Sequence, residues 1–261
     1  MVNFFCSFPN HLIFIIISYL SFKEAARTSI LSNRFFHIWR ETKNIILNQR
    51  FFVSSNGEFE VKEGIGRGAF IDLMRIWIEH HKDHNLDKFS LILFSLPQNF
   101  HEDISKFITF AIERKVKALG LDFSNLMWME KYIYRYHHAS FDLPLSVYSN
   151  KAIKALKLFS CNFIAPNFAN FCSFKQLCLG YIKLPSKTLK ALLVNCEKLE
   201  SLILERCWID WIHISNNNKN LKLERLIVEN CATLQEKVSI GATMLRRHPC
   251  RRYRVHLLQR Q

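Results

Sequence analysis

A short motif, Leu-x-Leu-x-x-Cys, recurs through the C-terminal half of this chain and limits it to a small number of folds. Its copies begin, in chain order, at Phe89, Leu119, Leu156, Leu177, Leu202 and Leu226. The last four copies are the clearest, and they start 21 to 25 residues apart. Alternate side chains of a β-strand lie on the same face, so each copy predicts one short strand with two buried apolar side chains. Regular spacing predicts that these strands stack and bury one continuous core.

A period of about 20 to 29 residues with this leucine pattern is typical of leucine-rich repeats. Such repeats predict parallel strands that are joined by return helices. Ser186–Asn195 is predicted to be one return helix, because Leu189, Leu192 and Leu193 recur at helical spacing. His101–Val116 carries a similar apolar stripe and is predicted to be another helix. The strand residues predicted to be buried are Leu156, Leu158, Leu177, Leu179, Leu202, Leu204, Leu226 and Val228.

The eight cysteines include no Cys-x-x-Cys pair, so a zinc ribbon is not indicated. Cys161, Cys207 and Cys231 occupy the sixth position of the repeat motif. We predict that these three are buried turn residues rather than metal ligands or redox groups. The chain has no N-glycosylation acceptor, and no cleavable export signal is recognised. We therefore expect reduced thiols and a location in the nucleus, the cytoplasm or both.

No catalytic constellation is apparent. The H-E-x-x-H, G-x-S-x-G and G-x-x-x-x-G-K-[ST] motifs do not occur. His80, His81 and His84 could ligate a metal, but a solvated helix end is the favoured interpretation. We therefore expect neither enzyme activity nor a cofactor or metal site.

The N-terminal segment, residues 8–39, is predicted to form three short helices. Every residue from Leu12 to Ile17 is apolar, and a helix of this kind must be buried on more than one side. Ser32 and Asn33 are predicted to cap the start of the third helix. Three helices in so short a segment cannot bury this apolar surface alone. The segment therefore predicts an interface with another protein.

This segment resembles an F-box, in which an aliphatic helix after Leu-Pro is followed by Ser-x-Leu-Ser-x-Arg-Trp and a closing Trp. The chain departs from the pattern at Phe8, at Ser21-Phe22 where a turn proline is usual, at Glu24 and at Phe35. With the repeats, the chain is similar to plant-type F-box/leucine-rich-repeat proteins. The fold class implied is α/β, with a three-helix F-box followed by a short solenoid. The matching residues are Pro9, Leu12, Ile16, Ser18, Leu20, Ala25, Ser29, Leu31, Ser32, Arg34 and Trp39.

The resemblance implies a substrate-recruiting subunit of a Skp/cullin/F-box ubiquitin ligase. The F-box would bind a Skp-like adaptor and through it a cullin, while the repeats would hold an unidentified target protein. This role needs no bond chemistry in the chain itself, because holding a target near the charged enzyme raises its effective concentration. The residues expected at the adaptor face or in the core beneath it are Pro9, Leu12, Ile13, Ile16, Leu31, Arg34, Phe35 and Trp39.

Composition shifts predict four regions. We expect the F-box at 7–47, a linker at 48–69 that contains four glycines, the repeat domain at 70–234 and a basic tail at 235–261. Residues 233–245 could cover the last repeat. Residues 246–261 are predicted to be too charged to pack and therefore mobile.

The formal net charge of +14 favours acidic partners without specifying them. A basic leucine-rich-repeat protein that binds nucleic acid is therefore the alternative to the ligase subunit, although nucleic acid is the less favoured partner. No membrane partner is expected, because Leu12–Leu20 covers about half of the roughly 20 residues that a membrane span needs.

Overall fold

A computed structural model of the chain describes residues 8–20, 22–49, 59–81, 85–94, 96–124, 141–163, 173–209, 212–214, 222–233, 238–240, 243–244 and 252–256. Within these ranges the α-helices are α1 (Asn10–Tyr19), α2 (Phe22–Thr28), α3 (Asn33–Trp39), α4 (Phe59–His80), α5 (His101–Glu113), α6 (Leu145–Ser149) and α7 (Ser186–Asn195). The strands are β1 (Asn44–Asn48), β2 (Lys88–Ile92), β3 (Ala118–Asp122), β4 (Ala155–Phe159), β5 (Gln176–Gly180), β6 (Lys183–Leu184), β7 (Ser201–Glu205), β8 (Trp208–Ile209), β9 (Ile212–Ile214), β10 (Arg225–Glu229), β11 (Ala232–Thr233), β12 (Val238–Ile240), β13 (Thr243–Met244) and β14 (Arg252–His256).

The largest described sheet has eight strands in the order β1-β2-β3-β4-β5-β7-β10-β14. Its first seven strands are parallel, and β14 pairs antiparallel with β10. The repeat motifs are in register, since Leu156 lies beside Leu119 on one side and Leu177 on the other. The predicted parallel repeat sheet is confirmed. The sheet also contains a strand that was not predicted, β1, which precedes the first repeat motif.

Two rows of side chains cross the seven parallel strands on the buried face, and each of these side chains is 3 % exposed or less. We call them the first and second apolar rows. The first is Ile45, Phe89, Leu119, Leu156, Leu177, Leu202 and Leu226, and the second is Leu47, Leu91, Leu121, Leu158, Leu179, Leu204 and Val228. All eight predicted strand leucine and valine positions belong to these rows. Each strand therefore contributes two side chains to a core that no single repeat could form.

The helices between strands add their apolar sides to this core. In α7 the predicted Leu189, Leu192 and Leu193 are buried. The predicted helix at His101–Val116 is α5, which ends three residues earlier than expected. Its C-terminal side is closed by Lys115, whose φ of 52° turns the chain toward β3.

An ion pair fixes α4 against α5. The Nε and one Nη of Arg75 donate to the two carboxylate oxygens of Asp103, each at 2.8 Å. The other Nη donates to Asp72 at 2.7 Å. Asp103 is buried, and the pKa of the Arg75 guanidinium is raised mainly by its hydrogen bonds with Asp103. A fork-shaped guanidinium suits a carboxylate bound through both oxygens, so the pair fixes orientation as well as charge.

A left-handed residue ends four consecutive strands of the repeat sheet. Ser160, Tyr181, Arg206 and Asn230 have φ between 51° and 57°, and each is the fifth residue of its repeat motif. This backbone conformation bends the chain immediately after the strand. The sixth residue is thereby directed back toward the core, and Cys161 and Cys207 are fully buried at this position.

The predicted linker at 48–69 is wrong in its second half. Helix α4 begins at Phe59, so Gly64, Gly66 and Gly68 lie within a helix. Residues 50–58, including Gly57, lie outside the described residues. Glycine disfavours a helix interior by about 1 kcal/mol relative to alanine. The buried Phe70, together with the apolar residues that follow it in α4, supplies packing that the glycine count did not reveal.

The prediction of a mobile tail is also wrong for residues 252–256. These residues form β14, whose five residues pair with all five of β10, from Arg225↔His256 to Glu229↔Arg252. An open sheet edge has unpaired N–H and C=O groups, and a strand satisfies them whatever the charge of its side chains. Residues 233–245, which were expected to cover the last repeat, contain β12 and β13. These two strands pair with each other, and β12 also pairs with β9.

None of the described helices is long and apolar enough to span a membrane. Among the described side chains, no group of three or more His, Cys, Asp and Glu could hold a metal ion.

Candidate functional site

The first helix divides its apolar residues between two environments. Ile13 and Ile17 are buried, whereas Leu12, Ile15 and Ile16 are between 39 % and 48 % exposed. Positions 13 and 17 lie one helical turn apart on one side, and positions 12, 15 and 16 lie on the other. The chain therefore buries one side of α1 and leaves the other side in water.

The third helix supplies the core beneath α1. Ser32 caps it as predicted, because its Oγ accepts a hydrogen bond from the backbone N–H of Phe35 at 3.3 Å. Phe35, Ile38 and Trp39 are buried along its inner side. Helices α1 and α3 contact each other.

Arg34 holds α3 against the start of α1. Its Nε donates to Oδ1 of Asn10 at 2.7 Å, and one of its Nη groups donates to the backbone carbonyl of Phe8. Arg34 thus connects two segments that are 24 residues apart in sequence. In this structure its role is to position the entry to α1.

The eight residues that the sequence indicated for the adaptor face separate into three groups. Pro9, Leu12, Ile16 and Leu31 are exposed, and Arg34 is half-buried. The remaining three, Ile13, Phe35 and Trp39, are buried in the core of this segment. Their assignment to an adaptor interface stays a prediction.

Three exposed apolar residues of this segment were not predicted from the sequence. Ile15 follows Leu12 by three residues on the open side of α1, and Tyr19 follows Ile15 by four. Ile30 precedes Leu31 in the turn before α3 and is 84 % exposed. The spacing within α1 could have identified Ile15 and Tyr19. We call the six residues Leu12, Ile15, Ile16, Tyr19, Ile30 and Leu31 the exposed apolar set.

This set is concentrated in one part of the molecule. Ten large hydrophobic side chains are exposed among the described residues, and six of them form the exposed apolar set. The other four, Ile46, Ile76, Leu145 and Val194, are spread over four different elements. Single exposed hydrophobic residues are ordinary, whereas a concentration of them marks an interaction surface.

The three-helix segment, which consists of α1, α2 and α3, shares one hydrophobic core with the repeat sheet. The rings of Trp39 in α3 and Trp77 in α4 lie edge to face with centroids 6.2 Å apart, and Trp77 continues to Phe110 in α5 at 5.8 Å. His81 lies against Trp77 at 4.5 Å and is buried, so the prediction of a solvated helix end is wrong at this histidine. A cavity of about 50 Å³ remains beside Trp39 and Ile45.

The solvent face of the repeat sheet carries a local aromatic cluster. The ring of Phe159 lies directly over Gly180, where a Cβ would come within 1.8 Å of two ring carbons. Nζ of Lys157 lies 4.4 Å from the centroid of the same ring. Just beyond the ends of β5 and β7, Arg206 donates a hydrogen bond to the hydroxyl of Tyr181. Gly180 is therefore required because an aromatic side chain occupies the space of its missing Cβ.

The turn cysteines Cys161 and Cys207 are buried as predicted, whereas Cys231 is half-buried. The thiol of Cys207 donates to the carbonyl of Leu179 at 3.3 Å, and that of Cys231 donates to the carbonyl of Leu204 at 3.4 Å. The backbone N–H of Cys207 in turn donates to the sulfur of Cys231 at 3.3 Å. Burial and the neighbouring Cys231 raise the pKa of Cys207 well above its ordinary value. The thiolate, which is the reactive form, is thus disfavoured.

Comparisons with known proteins match both parts of this architecture. A family model for the F-box domain matches residues 5–47. A second model, described as the leucine-rich repeats of the FBD-associated F-box protein At5g56370, matches residues 117–257.

Similar proteins from Arabidopsis thaliana include the putative F-box/LRR-repeat protein At1g56400, which is 34 % identical over 85 % of this chain. The F-box protein At3g62230 is 30 % identical over 92 % of this chain. The matched regions make up 45 % and 51 % of those two proteins, so the chain spans about half the length of the curated relatives it matches. Since the repeat model alone covers more than half of the sequence and follows an F-box match, the chain belongs to the F-box/leucine-rich-repeat family of plant proteins.

Proposed function

We propose that this chain recruits a target protein to a Skp/cullin/F-box ubiquitin ligase, with its three-helix segment bound to a Skp-like adaptor. F-box proteins are generally substrate adaptors of such ligases, and the F-box generally binds Skp1. The observation that carries the proposal is the exposed apolar set. The same short segment that matches the F-box leaves six large hydrophobic side chains in water.

Burial by a partner gives this arrangement a physical reason. Each square ångström of apolar surface removed from water stabilises the complex by about 25 cal/mol. The core residues Ile13, Phe35 and Trp39 fix the helices, so the exposed residues are presented by a preformed surface. A preformed surface loses little conformational entropy on binding. Adaptor docking would therefore use Leu12, Ile16 and Leu31 as contacts and the buried residues as their support.

The repeat sheet would hold the target. Its solvent face carries charges of both signs, including Lys157, Asp122 and Glu205, around the buried ring of Phe159. Such a surface offers specific contacts without a reacting group, in agreement with a role in positioning. We place this activity in the nucleus or the cytoplasm and propose no bond chemistry for the chain itself.

A substitution on the exposed apolar set tests the proposal. Leu31→Asp places a charge at a side chain that is 67 % exposed, so folding should be preserved. Adaptor affinity should fall at least about tenfold, because a charge at an apolar interface must be desolvated without a partner. The matched control is Leu145→Asp, since Leu145 is 65 % exposed but lies in α6.

Both variants would be purified and titrated with a Skp-like adaptor, with circular dichroism as the check on folding. A folded Leu31→Asp protein that binds the adaptor with wild-type affinity would overturn the proposed docking surface. Equal losses in the two variants would also count against it, because a general effect of added charge would then explain the result.

Nucleic-acid binding is the second candidate, and the net charge of +14 is the observation that favours it. The sheet face does not have one sign of charge, because Asp122, Glu205 and Glu229 lie on it with Lys157 and Arg225. Affinity for a DNA or RNA oligonucleotide that falls steeply with salt would support this candidate. Adaptor binding is not required by it.

A further inference from the structure

The residue that precedes each parallel strand forms a row along the N-terminal edge of the repeat sheet. Backbone hydrogen bonds define its central part, because the N–H of Lys154 donates to the carbonyl of Lys117 at 2.7 Å and the N–H of Lys175 donates to the carbonyl of Lys154 at 2.8 Å. We call Lys117, Lys154 and Lys175 the lysine row. All three side chains are exposed. The row therefore presents three positive charges on three adjacent strands.

Acidic residues flank the row at both ends. Nζ of Lys117 lies 2.7 Å from Asp87, and Nζ of Lys175 lies 2.7 Å from Glu200. The central Lys154 instead donates to the backbone carbonyl of Lys151 at 2.9 Å. Like charges directly opposite each other on neighbouring strands are destabilising. The centre of the row, at Lys154, is thus where a bound anion would add a charge contact.

The charge of this edge changes from positive to mixed along the sheet. The segments that lead into β3 and β4 add the exposed Lys115 and Lys151 to the row. The segments that lead into β7 and β10 instead mix both signs, with the exposed Lys198 between Glu197 and Glu200 and the exposed Lys222 two residues before Glu224. The excess of positive charge along this edge is therefore greatest at β3, β4 and β5.

We propose that the lysine row binds an acidic, extended segment of the target protein. Three adjacent strands place the row over about 10 Å, and side chains on one face of an extended peptide repeat about every 7 Å. Two carboxylates of such a segment can therefore reach the row together. Asp87 and Glu200 repel any anion at the ends of the row, so a short segment with two carboxylates centred on Lys154 fits better than a continuous nucleic-acid strand, which would run past both acids. This inference rests on the proposed function, since it specifies which targets the repeats would accept.

The substitution Lys154→Glu tests the proposal without endangering the fold. A carboxylate at this position would lie between Lys117 and Lys175 and would reduce the repulsion along the row. The control is Lys190→Glu, because Lys190 is exposed on α7 and the two substitutions change the net charge equally. Binding of a fluorescein-labelled peptide of alternating Glu and Ser would be measured by fluorescence anisotropy at low salt. A peptide with Gln in place of Glu would be measured in parallel.

The wild type should bind the Glu peptide, and Lys154→Glu should weaken that binding about tenfold while Lys190→Glu changes it less than about twofold. Equal losses in the two variants, or equal binding of the Gln peptide, would overturn the proposal. The proposal would also be overturned if the wild type did not bind the Glu peptide but bound a single-stranded DNA oligonucleotide through Lys154. Adaptor titration of the same samples separates the two hypotheses, because an intact adaptor complex with no peptide binding removes only the acidic-target inference.

Discussion

The three-helix segment and the repeat sheet are both rich in large hydrophobic residues, but they differ in how completely they bury them. In the sheet, each side chain of the first and second apolar rows is covered by the neighbouring strands and by the helices behind them. In the three-helix segment, α1 buries Ile13 and Ile17 and leaves Leu12, Ile15 and Ile16 exposed. A repeat is completed by the next copy of itself, whereas we propose that the helices are completed by another protein. Hydrophobicity alone therefore does not distinguish a core residue from a binding residue.

Stability should separate the two regions most strongly for a leucine truncated to alanine. Leu202 lies in the first apolar row and is fully buried, so Leu202→Ala should lower the free energy of unfolding by about 2 to 5 kcal/mol. Leu31→Ala removes the same atoms from an exposed site and should change it by less than about 0.5 kcal/mol. Denaturant titration followed by circular dichroism measures both values. Similar losses at the two positions would break the comparison.

A second substitution tests whether tight packing extends to the solvent face of the sheet. Gly180→Ala places a methyl group where the ring of Phe159 lies. It should therefore lower the free energy of unfolding by about 1 to 3 kcal/mol. In Gly120→Ala, the nearest atom to the new Cβ is Oγ of Ser90 at 3.1 Å, so the cost should be smaller. The cost of Gly180→Ala should fall when Phe159 is also replaced by alanine, since the clash is then absent. Additive costs in the double variant would show that Phe159 is not the cause.

The smallest expected effect concerns Cys178, which faces outward between two strands. Burial raises the pKa of its thiol from 9.0 to about 11. The unfolded chain therefore loses this proton at lower pH than the folded chain, and stability falls as pH rises from about 9 to 11. The loss should be about 1 to 2 kcal/mol, and Cys178→Ala should remove it. Denaturant titrations at several pH values measure the difference, and identical pH dependence in both proteins would contradict the assignment.

Periodic features were predictable from the sequence. The strand rows, the turn cysteines, the cap at Ser32 and the side of α5 that packs inward all follow from spacing, because spacing decides which side chains share a face. Features that depend on tertiary partners were not predictable. The glycines of α4 weaken a helix that buried residues such as Trp77 then stabilise. The charged β14 forms because the exposed edge of β10 needs backbone partners, and that need is invisible in the local sequence.

The exposed residues of the candidate adaptor surface were only partly foreseen for a related reason. The pattern of an apolar helix identifies which residues are hydrophobic but not how many sides of the helix its own chain will cover. Leu12 and Ile13 are adjacent and equally apolar, yet only Ile13 is buried. The position of α3, fixed by Phe35 and by Arg34, decides between them.

The in-register strands also free the connecting segments to change in length. Consecutive parallel strands of the repeat sheet start between 21 and 44 residues apart, and the two apolar rows nevertheless remain aligned throughout. Doubling the length of a flexible loop costs only about 0.6 kcal/mol in closure entropy. Changes in loop length that leave the core-forming helices intact are thus nearly neutral for folding, while the residues they carry emerge at the edges of the sheet. Such a scaffold can acquire new surface loops during evolution without rebuilding its core.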